Sequence, residues 1–285
     1  MACQRGLALI TGGCGGLGMA FARKWLQRGG SVRLADMVAR DRGEAACKEL
    51  GGKVEFVSCD VTDKDALRAA FENAPDLALV INNAGVVAHD GADLFENWEA
   101  MIRINVDGVV NGTRLALDAF AQHPGEAGAS RVVLNVGSMA GLIPTAVMPV
   151  YTATKYAVVG FSRAAHVAAS KRYDEKLRKN VPTGIRVHAL CPSFADTGMV
   201  NEKTLAKDPR NKRTVELFGG LLTPDAVAEA AFDKVVDDPA AKAVLRVTPI
   251  DGVNFDDPGA HAVEKAVRNA AIVADPLGTP RKMLK

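Results

Sequence analysis

The chain has 285 residues, 48% of them hydrophobic, and a formal net charge of +2 at pH 7. Such a length can bury a full α/β core, and the near-neutral balance offers no broad electrostatic face for nucleic acid. No apolar run reaches the ~20 residues of a membrane span, and Met1 to Gly6 is too short for a secretory signal, so a cytoplasmic location is expected.

Gly6 to Thr11, GLALIT, reads as a short buried strand. It runs directly into GGCGGLG, Gly12 to Gly18, and then into MAFARKWLQRGG. Met19, Ala20, Ala22, Trp25 and Leu26 suit a helix, and Gly29-Gly30 suits its end. Strand, glycine turn and helix in that order form a dinucleotide-binding unit. Glycines let the backbone approach a pyrophosphate, and the helix N-terminus attracts the anion. A second strand, Ser31 to Ala35, ends in Asp36. An acid about twenty residues beyond the glycines can bind the adenosine ribose hydroxyls of NAD and would repel the extra phosphate of NADP. The competing reading makes Asp36 a plain turn residue.

Further strands are predicted at Val54–Ser58, Leu77–Asn82, Arg131–Val136, Ile185–Leu190 and Val244–Val247, with helices at Asp41–Leu50, Lys64–Ala74, Trp98–Ala121, Tyr151–Lys171 and Pro224–Val236. Gly125 to Gly128 marks a loop. The basic cluster Lys171 to Lys179 is interleaved with acids and reads as a solvated helix face. Right-handed crossovers then give an α/β fold, a doubly wound parallel sheet of Rossmann type with about seven strands and helices on both faces. No linker divides the chain, so one domain spans 1–285. An extension from about 258 holds a helix at His261–Ala274 that would serve as a subunit contact or a pocket lid.

Tyr151 and Lys155 stand at i and i+4 of one predicted helix, behind Ser138. Such residues share a helix face. A phenol of reference pKa about 10 is a poor base near neutrality, and a fixed cation nearby lowers that value. A Tyr so tuned can take a proton from an alcohol or give one to a carbonyl, and Ser138 could hydrogen-bond the same oxygen. A Tyr and a Lys on an ordinary amphipathic helix would look the same in isolation. Cys3, Cys14, Cys47, Cys59 and Cys191 show no CxxC spacing, which fits reduced cytosolic thiols. His89, His123, His166, His188 and His261 lack metal-ligand spacing, and no metal is expected.

These residues resemble the short-chain dehydrogenase/reductase family over nearly the whole chain. Thr11-Gly12, Gly16 and Gly18 match its TGxxxGxG, with Leu17 between them. Asp60, followed by Val61, matches its adenine-contacting Asp. Asn82-Asn83-Ala84-Gly85 matches its NNAG segment. Asn105 matches the Asn that holds a water in the proton relay, and Ser138, Tyr151 and Lys155 match the catalytic set. PSFADT, Pro192 to Thr197, stands where the family has PGxxxT. Within the family, GSMAGLIPTAVMPVYTATKYAVVGFSRAA and GIRVHALCPSFADTGMV are similar to the NAD-dependent 15-hydroxyprostaglandin dehydrogenase branch, which shares features with insect-type alcohol dehydrogenases. Three departures stand out. Met148 occupies the place of a substrate-binding Gln, Ser193 replaces the usual Gly, and Ser170 to Pro182 looks longer and more charged than its counterpart.

The resemblance implies an NAD-dependent oxidoreductase for a secondary alcohol or its ketone. NAD would be held by Gly12, Gly16, Leu17, Gly18, Asp36, Met37, Asp60, Val61, Asn83, Ala84, Gly85, Tyr151, Lys155, Pro192, Phe194, Ala195 and Thr197. Asn105, Ser138, Tyr151 and Lys155 would be catalytic, with Lys155 lowering the Tyr151 pKa. Ser138, Met148 and Tyr151 would meet the substrate, in a pocket walled by Val87–Leu94, Leu142–Met148 and Phe194–Leu222. Those walls are largely apolar, so a hydrophobic substrate is expected. A homodimer or homotetramer is also expected. Two other readings remain open. Arg40 and Arg42 leave room for an NADP-linked ketoreductase, and the glycine loop alone would suit a non-catalytic NAD-sensing scaffold.

Overall fold

Continuous apolar segments become central strands. Leu7–Thr11 (β1), Leu77–Asn82 (β4), Arg131–Val136 (β5) and Ile185–Pro192 (β8) are buried along their whole lengths. Strands buried on both faces need helices on both sides. The computed structural model of the protein describes residues 5–87, 97–123, 130–145, 148–174, 178–201, 205, 212 and 215–256. The expected loop at Gly125–Gly128, most of the Val87–Leu94 wall, Ala146-Val147 and the extension from 258 lie outside the described residues.

The remaining strands are Ser31–Asp36 (β2), Val54–Ser58 (β3), Lys171–Asp174 (β6), Lys179–Pro182 (β7), Val244–Thr248 (β9) and Gly252–Phe255 (β10). The main sheet has eight strands in the order β10-β9-β8-β5-β4-β1-β2-β3. Its pairings are parallel except β9–β10, where Gly252 meets Thr248 antiparallel. Alternate residues of β1 enter opposite layers, as a period of two requires. Ala8 and Ile10 pack with Trp25 and Phe232, whereas Leu7 and Leu9 pack with Phe120 and Leu67.

The helices are Gly16–Gln27 (α1), Arg40–Leu50 (α2), Lys64–Ala70 (α3), Trp98–Ile102 (α4), Gly108–Gln122 (α5), Pro149–Ala169 (α6) and Pro224–Ala231 (α7). A π turn, Arg103–Asp107, joins α4 to α5, and another, Phe232–Val236, continues α7. No described helix is long and apolar enough to cross a membrane.

The seven expected strands all form, and β10, a short edge strand, GVNF, without an apolar run to announce it, makes an eighth among the described residues. Two expectations need correction. The basic segment after α6 is no helix face. It folds into the β6–β7 hairpin, pairing Lys171 with Pro182 and Asp174 with Lys179. Helix α3 stops at Ala70 instead of Ala74, since Asn73 takes a left-handed φ of 53° and Ala74, directly before Pro75, is turned away from helix.

Candidate active site

The glycine loop is shaped by close backbone approaches. Gly12 has φ 59°, and a Cβ there would lie 2.9 Å from the Ala84 Cα. A Cβ on Gly18 would lie 2.4 Å from the Gly12 carbonyl oxygen, so only glycine lets α1 begin against the loop. The start of α1 has no side-chain cap and no acid in its first turn. Its leading amides are those an anion seeks.

The loop is tied to its neighbours by polar bonds. Asn83 Nδ2 donates to the Thr11 and Gly12 carbonyls at 3.0 and 2.9 Å. The amides of Asn83 and Ala84 donate to the Thr11 hydroxyl at 3.0 and 3.1 Å. Asn83 therefore acts on the loop from within. Asp36, at the end of β2, accepts the Cys14 amide at 2.9 Å and the Val38 amide at 3.3 Å. Asp60 accepts both the amide and the hydroxyl of Thr62 at 2.8 Å. Met37 is 71% exposed beside them, while Val61 is buried.

Ser138 stands just past the end of β5 and caps a single 3-10 turn, Met139–Gly141, accepting the Ala140 amide at 3.1 Å. Across from it, α6 begins with Pro149 at its first turn, a position that needs no amide donor. Lys155 is buried, donates to the Val136 carbonyl at 3.0 Å, and lies 5.5 Å from the Tyr151 ring centroid. Tyr151 itself is only half-buried.

Burial dominates the electrostatics here. It pushes the Tyr151 phenol up to about 12, and a hydrogen bond with Ser138 works in the opposite direction. It pushes the Lys155 ammonium down to about 8. The expected lowering of the Tyr151 pKa by Lys155 is thus not the outcome in the protein alone. The ammonium is directed at the Val136 carbonyl, and desolvation of the phenolate dominates.

Asn105 lies fully buried inside the π turn. The extra residue in such a turn re-aims the side chain. Its Oδ1 accepts the Val86 amide at 2.8 Å, and its Nδ2 donates to the Val86 carbonyl at 2.8 Å and to Thr154 Oγ1 at 3.2 Å. Asn105 therefore clamps the loop after β4 to α6. Gly85 is held in the same place, since a Cβ on it would sit 3.4 Å from Asn105 Oδ1 and 3.6 Å from Lys155 Nζ.

The fourth wall follows β8. Pro192 pairs with Val247, Ala195 bridges Leu222, and the Phe194 ring meets Phe218 edge-on at 5.7 Å. Thr197 overlies the start of α1, with its Cγ2 3.0 Å from where a Gly16 Cβ would be. Met148 is the residue before α6, half-buried, and its amide donates to the Thr145 carbonyl at 3.1 Å. Sequence reasoning named Thr11 only as part of the glycine motif, and missed Val136 and Thr154. Val136 acts through its backbone and leaves no trace in the sequence, whereas Thr154, one helical turn from Tyr151, was findable by spacing. Among the described residues, no group of His, Cys, Asp and Glu could hold a metal ion.

Known proteins agree with this geometry. A family model described as short chain dehydrogenase matches residues 6–208. The chain is 34% identical over 269 residues to a 15-hydroxyprostaglandin dehydrogenase (NAD(+)) of Bos taurus, covering 88% of this chain and 94% of that protein. It is 29% identical over 231 residues to an NADP-dependent (R)-specific alcohol dehydrogenase of Lentilactobacillus kefiri, covering 78% and 86%. A solved 3-ketoacyl-(acyl-carrier-protein) reductase from Brucella melitensis, complexed with NADH, superposes with a TM-score of 0.68 at 28% identity, covering 85% of this chain and 96% of that one. With the family match spanning the glycine loop, Ser138, Tyr151 and Lys155, the chain belongs to the short chain dehydrogenase family of oxidoreductases.

Proposed function

We propose that the protein is an NAD-dependent oxidoreductase that interconverts a hydrophobic secondary alcohol and its ketone, with Tyr151 as acid/base. The observation that carries this reading is the convergence of Ser138, Tyr151 and Lys155 near Gly85, on a chain whose glycine loop is braced by the Asp36 carboxylate.

The residues present fit NAD. The amides of Gly16, Leu17 and Gly18 open α1 toward an anion. Asp36 would take the adenosine ribose hydroxyls, and Met37, Asp60 and Val61 would border the adenine. Ala84, Gly85, Pro192, Phe194, Ala195 and Thr197 would line the nicotinamide half. Ser193 Oγ is buried with no partner among the described residues, an orphan that a carboxamide would satisfy. When bound, NAD supplies the hydride acceptor.

The chain's own residues handle the proton. Ser138 holds the substrate oxygen by its hydroxyl, and Tyr151 as phenolate takes the hydroxyl proton. Lys155, whose ammonium is held by the Val136 carbonyl in the protein alone, would take the nicotinamide ribose. The side-chain amide of Asn105 is engaged by Val86 and Thr154, so a relay water would be held by the main chain of the π turn. Met148, Leu142 and Ile143 border the substrate side and favour apolar groups. We read the chain as one cytoplasmic domain, assembled as a homodimer or homotetramer.

NADH formation over a panel of secondary alcohols tests the reading. Turnover with NAD on hydrophobic members, lost in Tyr151→Phe, is the expected result. No turnover on any alcohol or ketone, with NAD still bound, favours the sensing scaffold and overturns it.

A further inference from the structure

The turn that carries Ser138 is gripped along its length by the helix that carries Tyr151 and Lys155. Residues four apart share a helix face, and Tyr151, Lys155 and Val159 form such a row on α6. A Cβ on Gly141 would lie 2.5 Å from the Lys155 carbonyl oxygen and 3.0 Å from Val159 Cγ2. A Cβ on Gly137 would lie 3.6 Å from the same methyl and 3.0 Å from the Cys191 sulfur. The turn thus rests on the row with no room for a side chain at 141. On its far side the Tyr156 phenol donates to the Leu142 carbonyl at 2.9 Å. The Leu142 amide in turn donates to Met139 at 3.0 Å, and the Gly141 amide to the Ser138 carbonyl at 2.9 Å. A shift at Leu142 reaches Ser138 through one tight turn.

We propose that Gly141 and Tyr156 are a positioning pair, Gly141 setting how closely the Ser138 turn approaches α6 and Tyr156 latching it there, so that together they fix the Ser138–Tyr151 spacing. This rests on the function proposed above, in which Ser138 and Tyr151 share the substrate oxygen. Tyr156 follows Lys155 in sequence but is 42% exposed where Lys155 is 5% exposed. Its phenol is spent on Leu142 and takes no proton in the reaction. A loosened turn weakens the Ser138 bond that opposes the raised Tyr151 pKa, so the pH profile reports the latch and a purely structural Tyr156 would leave it unmoved.

The experiment compares wild type, Tyr156→Phe, Gly141→Ala and Tyr151→Phe by kcat, KM, the pH profile of kcat and amide hydrogen exchange. Tyr156→Phe is expected to lower kcat roughly two- to fivefold, the scale of one partly hydrated hydrogen bond, with KM for NAD unchanged. Its profile moves to higher pH, and amides of residues 138–145 exchange faster. Gly141→Ala shows larger changes of the same sign; if it does not fold, Tyr156→Phe decides alone. A wild-type profile and wild-type exchange in Tyr156→Phe overturn the inference. Turnover surviving in Tyr151→Phe overturns the proposed function instead, while exchange still reads the latch.

Discussion

The backbone amide of Cys14 donates to the Asp36 carboxylate at 2.9 Å. The glycine loop and the end of β2 are therefore one unit, braced by Asp36. Under the proposed function its carboxylate would also face the adenosine ribose. NAD is expected to be favoured over NADP by tenfold or more, about 1.4 kcal/mol in binding. Asp36→Asn keeps an acceptor for the Cys14 amide and removes the charge. It should narrow the gap chiefly by improving NADP, whereas Asp36→Ala should also weaken NAD. Initial rates with both cofactors check this, and a wild-type preference for NADP removes Asp36 from the role.

Burial holds the Tyr151 phenol up to about 12 and the Lys155 ammonium down to about 8 in the protein alone. Oxidation needs the phenolate, whose fraction grows with pH below the phenol's own value, so turnover should rise as the pH climbs from about 6 toward about 8, where Lys155 begins to lose its charge. Tyr151→Phe should lose nearly all turnover while NAD still binds. Lys155→Met should lose turnover and weaken NAD as well. A flat profile between pH 6 and about 9 in the wild type would contradict the assignment.

Much of this site was legible because its parts sit at strand ends with fixed spacings. The apolar runs of β1, β4, β5 and β8 and the Tyr151–Lys155 interval survive translation into structure unchanged. What was not legible falls into two kinds. Backbone partners such as the Val136 carbonyl carry no side-chain signature. Electrostatic balance depends on burial, and the Tyr151 phenol is raised because desolvation exceeds what the Ser138 hydrogen bond offsets. The β6–β7 hairpin escaped because KRYD and KNVP offer no apolar run to announce a strand.

Assembly is expected to use α4, α5 and α6. Trp98, Ile102, Val110 and Tyr156 are exposed, and Trp98 and Ile102 form an apolar hollow with Pro149, Val150 and Ala153. Val109 and Val158, on the same helices, are buried in the protein's own core. A second copy related by a two-fold axis would cover the exposed set. Light scattering should show a dimer or larger at micromolar concentration, and Ile102→Asp with Val110→Asp should shift it toward monomer. A wild-type monomer would rule out this surface as the contact.

His188 makes the fold acid-sensitive. It is fully buried on β8, with Nδ1 2.9 Å from the Lys242 carbonyl and its ring 5.0 Å from that of His166. Burial, then the neighbouring His166 and Arg186, lowers its pKa from 6.5 to about 3. Below pH 6.5 the unfolded chain takes a proton that the folded chain refuses, so stability is complete above that value and falls as the pH drops toward 3. By about pH 5 the loss is about 2 kcal/mol. Urea midpoints should fall between neutral and acid pH in the wild type and fall less in His188→Leu, whatever that variant's absolute stability. Equal slopes would assign the acid sensitivity elsewhere.

Under the proposed function, Met148 is expected to limit how polar the substrate can be. It precedes α6 and lies half-buried, three residues before Tyr151, with its amide held by the Thr145 carbonyl. A thioether fills irregular apolar space and accepts hydrogen bonds poorly. An amide at this place could bond a polar group near the reacting carbon, and its absence forgoes about 0.5–1.5 kcal/mol, roughly a factor of two to ten. The expected substrate is therefore less polar around its reacting carbon than a hydroxylated fatty acid derivative. Met148→Gln should lower kcat/KM on the preferred apolar alcohol by a few-fold, about 1 kcal/mol or less, and raise it on hydroxylated fatty acids, with KM for NAD unmoved. Two results would overturn this. One is a wild type that already oxidises 15-hydroxyprostaglandins faster than simple hydrophobic alcohols. The other is a Met148→Gln variant with unchanged selectivity, which would leave Met148 as packing alone.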